Sequence, residues 1–135
     1  MKSLARNLLT SGCVAALLAV AGGAFGAHAL RHTLPPDSMA IYQTAVAYQF
    51  YHAVGLLVMG LAANFLPSSR WLAWAGILMG TGILLFSGSL YLIAVTGLRA
   101  FGPITPIGGM MLIAGWGLFA TAVLASRETE SNKSP

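Results

Sequence analysis

His52 stands apart in a chain whose apolar stretches hold no lysine, arginine or carboxylate. It lies about eleven residues into its stretch, near the middle of a membrane crossing at 1.5 Å rise per residue. Gln49 precedes it by one turn on the same helical face. An ionisable group at that depth is a functional-site candidate by default. The structural alternative is a neutral imidazole bonded to Gln49 or to the hydroxyl of Ser87 or Ser89, since such bonds commonly join membrane helices. Ser87 or Ser89 with His52 would also make a hydrolytic pair on paper, but no acid is placed to orient the imidazole. The three acids, Asp37, Glu128 and Glu130, all lie outside the apolar stretches. That disfavours an enzyme and equally an exporter driven by a membrane carboxylate, and no catalytic residue is assigned. His28 and His52 differ in depth by roughly nine residues, about 13 Å, too far to ligate one haem iron between them. With a single cysteine, Cys13, and no Cys/His ligand spacing, neither a metal nor a cofactor is expected.

Four apolar stretches must position these residues: 8–30, 41–66, 71–97 and 106–125. Each reaches the roughly 20 residues needed to cross the hydrocarbon core. The composition agrees, with 57% hydrophobic residues and 7% charged. A soluble domain carries roughly 25% charged residues, so this chain lacks the polar surface that water demands. The expected fold is all-α: an integral membrane four-helix bundle of antiparallel up-down topology, formed by residues 1–126 and followed by a polar, disordered tail at 127–135. Between the spans, Pro35 and Pro36 interrupt helix, with Asp37 or Ser38 as the next cap. The segment 67–70 is a tight connection, and Thr105 is expected to cap a helix with Pro106 at its first position.

The first stretch exceeds the 7–15 apolar residues of a secretory signal core, so it reads as a span and not a cleaved leader. Cys13 has too short an apolar segment before it for lipoprotein processing and reads as a small packing residue. Lys2, Arg6, Arg70, Arg127 and Lys133 fall on one side of a four-span chain, Arg31 and Arg99 on the other. The positive-inside rule then puts both termini in the cytoplasm. Trp71, Trp74, Tyr42 and Phe101, near span ends, read as interfacial aromatics. The cations are too few and scattered for a nucleic-acid surface.

Helices in lipid associate through close contact and hydrogen bonds, which favours small residues at their seams. Such residues recur at helical spacing: Gly22 and Gly26 in the first span, Gly76 and Gly80 in the third, Gly108 and Gly115 in the fourth. These six are the expected packing glycines, whether within one bundle or between copies. In the second span Thr44, Tyr48, Gln49, Tyr51, His52 and Gly55 fall within one half of the helix, and that half is expected to face inward.

Four ordered motifs complete the reading. They are Gly23-Ala24-Phe25-Gly26-Ala27-His28; Tyr42-Gln43-Thr44-Ala45-Val46 with Tyr48-Gln49 and His52; Leu85-Phe86-Ser87-Gly88-Ser89-Leu90-Tyr91; and Thr105-Pro106-Ile107-Gly108-Gly109 with Gly115-Trp116. Over about residues 10 to 125 this set resembles the DUF423 family of small bacterial inner-membrane proteins. The resemblance implies a four-helix membrane protein and no particular activity. It also draws attention to His28, Gln49, His52, Ser87, Ser89, Tyr91 and Thr105 as a polar pocket toward the outer half of the bundle. The function expected is non-enzymatic: a scaffold, or a protein that binds lipid or a membrane-protein partner, including a second copy of itself. The alternative is a small oligomeric transporter or channel working through a polar pocket around His52.

Overall fold

The computed structural model describes residues 1–67 and 69–131, the last five by backbone alone. Four helices account for most of it: α1 (Ser3–His28), α2 (Pro36–Phe65), α3 (Arg70–Thr96) and α4 (Ile104–Ser131). Short 3-10 turns at Leu30–His32 and Arg99–Phe101 follow α1 and α3. All four helices are long and apolar enough to cross a membrane. At 1.5 Å per residue they run about 39–45 Å, longer than the roughly 30 Å hydrocarbon core, so their ends reach the headgroup layers.

Helix ends differ from the expected ones for local reasons. At the start of α2, Pro35 takes the cap position and Pro36 the first helical one, while Asp37 sits in the first turn without capping. A proline there gives up an N–H that would have no helical partner anyway. Ser69 caps α3 by accepting from the Trp71 N–H at 3.2 Å. Gly97 ends α3 at φ 71°, a left-handed conformation that only glycine takes without strain. α4 begins at Ile104, so Thr105 is inside the helix and not its cap. The same helix continues through Ser131, past the expected span end at 125, into residues expected to be a disordered tail. The rest of that tail, 132–135, lies outside the described residues.

α2 and α3 form the centre. In their most apolar stretches 44% and 33% of residues are buried, against 17% for α1 and 22% for α4, which flank them. The remaining apolar side chains, such as Leu17, Leu84 and Ile113, point outward and need lipid around them. The dry core gathers Leu8, Leu56, Met59, Leu72, Met79 and Leu112 from all four helices.

Two seams close through glycine, and a third does so at one end only. Between α3 and α4, a Cβ on Gly108 would lie 2.8 Å from the Phe86 Cα, and one on Gly115 would lie 3.3 Å from the Ala75 carbonyl oxygen. Between α1 and α2, Gly12 and Gly60 bring backbones together, and Gly26 accommodates the Tyr42 ring. Leu8 of α1 reaches across to occupy the space at Gly76 of α3. Gly80 behaves otherwise, because nothing lies within 4 Å of the position its Cβ would take. The seam between α1 and α3 is closed at one end by Leu8 and open along most of its length.

Candidate functional site

A polar network ties α1, α2 and α3 together through two side chains seven residues apart. The Tyr42 hydroxyl donates to the Gly22 carbonyl at 2.8 Å. The Gln49 amide nitrogen donates to the Ala15 carbonyl at 2.9 Å. Donors and acceptors thus recur at the same seven-residue interval on facing helices, with Ala19 and Gly26 four residues after each acceptor. Helical side chains lean back toward the N-terminus, so small residues at those places leave the carbonyl's second lone pair open to a neighbour. From α3 the Tyr91 hydroxyl donates to the Gln49 carbonyl oxygen at 2.9 Å, using both ends of that carboxamide. The Tyr42 and Tyr91 rings meet edge to face at 5.1 Å.

This network forms the floor of a groove between α1 and α3 with a volume of about 1140 Å³. One wall carries Ser11, Val14 and Leu18 of α1, the other Ile77, Gly80 and Leu84 of α3. Gly22, Tyr42, Gln49 and Tyr91 mark its far part, Leu4 and Asn7 its near end. The wall is largely aliphatic, and the polar groups in its floor bond to one another. Thr81, on the α3 side, bonds the Ile77 carbonyl of its own helix at 2.8 Å.

His52 lies on a different side. Its ring nitrogen Nδ1 donates to the Tyr48 carbonyl at 2.7 Å, which leaves Nε2 as the acceptor in the neutral ring. The ring is 9% exposed, stacks on Tyr48 at 5.8 Å and approaches Trp116 of α4 at 6.4 Å. Tyr48 in turn stacks on Phe86 of α3 at 4.8 Å. The imidazole therefore bonds its own helix and neither Gln49 nor the two serines. Ser89 bonds Thr105 at 2.7 Å, joining α3 to α4. Ser87 is 2% exposed, and its hydroxyl is buried without a partner. No Ser–His couple forms. His28 is exposed at the end of α1, apart from the network. Thr44, Tyr48 and Tyr51 are exposed as well, so only Gln49, His52 and Gly55 of the polar half of α2 point inward. Cys13 is exposed rather than packed.

The residues expected to share one pocket thus do not converge: His28 is exposed at the end of α1, Ser87 is buried without a partner, and the other five divide into three places. Gln49 and Tyr91 line the groove, His52 belongs to an aromatic cluster with α4, and Ser89 and Thr105 pair at the α3–α4 seam. The residue missing from the expected set is Tyr42, which looked interfacial but is 6% exposed and anchors the network. Its spacing of seven residues from Gln49 is the signal that places it on the inward face. Among the described residues, no three His, Cys, Asp or Glu side chains gather as metal ligands.

A family model described as "Protein of unknown function (DUF423)" matches residues 22–109. A "UPF0382 membrane protein" of Staphylococcus epidermidis is 47% identical over 113 residues, covering 84% of this chain and 91% of the relative. The "UPF0382 membrane protein YwdK" of Bacillus subtilis is 43% identical over 84% of this chain and 92% of its own length. The "UPF0382 inner membrane protein YgdD" of Escherichia coli is 35% identical over 88% of this chain and 90% of that protein. No solved structure matches. Together with its four apolar helices, these relatives make the chain a multi-pass membrane protein.

Proposed function

This chain belongs to the DUF423 family, and on that footing we propose that it is a non-enzymatic, lipid-binding protein of the cytoplasmic membrane. In this reading the four helices run up and down, with both termini on the cytoplasmic side, as the five-to-two distribution of cations favours. The observation that carries the reading is the groove between α1 and α3. Its volume of about 1140 Å³ exceeds the 300–1,000 Å³ of ordinary small-molecule sites. It opens along the flank of a helix pair that faces hydrocarbon. Its floor offers few unpaired polar groups, so a bound molecule gains chiefly by apolar contact there, as an acyl chain does. The transporter reading asks for a hydrated path to His52. That ring instead bonds its own backbone beside Tyr48 and Trp116.

Native mass spectrometry after gentle detergent extraction tests the proposal. The wild-type chain is expected to carry about one phospholipid, and Gly80→Leu, which fills the groove from the α3 wall, to lose most of it. Gly117→Leu is the control, since Gly117 is exposed on α4 with open space around it. A lipid-free wild-type chain, or equal lipid on both variants, contradicts the proposal. A dimer whose subunits close the groove and exclude lipid would contradict it too.

A further inference from the structure

The near end of the groove runs into a second cavity of different chemistry. It measures about 560 Å³ and is lined by Lys2, which precedes α1, by Ser3 and Leu4 of α1, by Ala63 of α2, and by Ser69 and Arg70 at the start of α3. Leu4 lines both cavities, so they share a wall. Both helices lead from one into the other: Lys2 and Ser3 give way to Leu4 and Asn7, and Ser69 and Arg70 to Ala73 and Gly76.

This second cavity is cationic and has donors to spare. Lys2 Nζ donates to the Leu66 carbonyl at 2.6 Å, which uses one of its three N–H bonds. The Arg70 guanidinium lies 4.9 Å over the Trp71 ring, which occupies its face and leaves its N–H edge free for the paired oxygens of an anion. The Ser69 hydroxyl accepts from Trp71 N and keeps its own O–H to donate. The first turns of α1 and α3 open here, and the partial positive charge of two helix starts outweighs the partial negative end of α2, whose Leu66 carbonyl Lys2 already covers. Asp37, the one acid whose side chain is described, is in the first turn of α2, whose last turn supplies Ala63 to this cavity. Neither Lys2 nor Arg70 has an ion-pair partner among the described residues.

We propose that this cavity holds the phosphate headgroup of an anionic phospholipid whose acyl chain lies in the α1–α3 groove. The inference rests on the groove reading above and adds the chemical class of its occupant. Charge complementarity selects a lipid over a second helix. A transmembrane helix would place apolar side chains in the groove and leave the Lys2–Arg70 end unmatched, whereas a phospholipid carries an acyl chain and an anion at the spacing of one molecule. A net negative headgroup is preferred over a zwitterionic one, because the choline or ethanolamine cation would face Lys2 and Arg70.

The test uses the full-length chain in vesicles of equal phosphatidylglycerol and phosphatidylcholine, followed by quantification of the lipid retained after extraction. Phosphatidylglycerol should be enriched on the order of tenfold or more, the scale for two cations at a membrane surface. Lys2→Gln with Arg70→Gln should bring the ratio close to the vesicle composition while lipid remains bound. Arg31→Gln with Arg99→Gln removes the same charge from the exposed turns after α1 and α3 and should leave the enrichment intact. Thermal unfolding of each variant in detergent confirms that the fold persists. Equal retention of both lipids by the wild type overturns this inference alone, as does enrichment that survives the Lys2/Arg70 double change. Displacement of the lipid by millimolar inorganic phosphate assigns the site to the free ion and also overturns it. Retention of neither lipid overturns the groove reading and this inference together.

Discussion

α3 presents glycine on two faces, with opposite outcomes. Toward α4, Gly82 meets Leu112, and the neighbouring helix brings Gly108 against the Phe86 backbone and Gly115 against Ala75 and Met79. Toward α1, Gly80 and Gly88 meet nothing within 4 Å. The first seam is a closed backbone contact. The second is a groove whose two helices meet at Leu8 at one end, approach again where the Tyr91 hydroxyl lies by Gly22, and are linked through α2 by Gln49, which bonds Ala15 and Tyr91. Removing a side chain makes room, and what fills the room depends on where the partner helix lies. On the α4 side it is protein; on the α1 side we propose that it is lipid.

The contrast can be broken at several points. The largest effect is expected at the closed seam: Gly108→Ala forces a methyl into the Phe86 backbone and should destabilise the protein by about 3 kcal/mol, read by titration with a denaturing detergent. If Gly108→Ala unfolds like the wild type, the closed seam is wrong. Gln49→Leu should be milder, about 1 kcal/mol, because it removes two interhelical bonds of the size usual in membranes. It should also raise lipid exchange, since the link from α1 through Gln49 to α3 is then lost. Ser87→Ala should stabilise by up to about 1 kcal/mol, because a buried hydroxyl without a partner carries an uncompensated desolvation cost. A loss of stability there would reveal a bond partner for Ser87. The smallest effect belongs to Gly80→Ala: with no neighbour to displace and better helix propensity, it should change stability by no more than about 1 kcal/mol, in the favourable direction.

The sequence made the helices legible for a simple reason. Apolar length and the placement of proline, glycine and charge depend on the bilayer and on the local chain, and both are visible in one dimension. The inward faces were half legible. The expected packing glycines of the first span, Gly22 and Gly26, do face α2, because small residues in lipid mark contact. Side-chain partners were harder. His52 was expected to seek Gln49 or a serine, but an i−4 carbonyl of its own helix lay closer and required no second helix to be positioned. Tyr42 looked interfacial because it is near a helix end, yet it lies more than a turn inside α2, which begins at Pro36. Thr105 looked like a cap, but α4 starts two residues earlier than expected, at Ile104, and leaves its hydroxyl for Ser89. The expected single pocket assumed that every polar motif converges. α2 instead turns Gln49 toward α1 and His52 toward α4, and a face assignment good to half a helix cannot separate those directions.

The most direct test of the contrast is a phospholipid bearing a photoreactive diazirine on its acyl chain, activated in the membrane and followed by peptide mapping of the labelled residues. The account predicts adducts along the groove, at Val14, Leu18, Gly80 and Leu84, and none at Gly82, Gly108 or Gly115. Labelling of Gly80 as low as that of Gly82 would mean that protein, not lipid, fills the space beside α3, and would contradict the account.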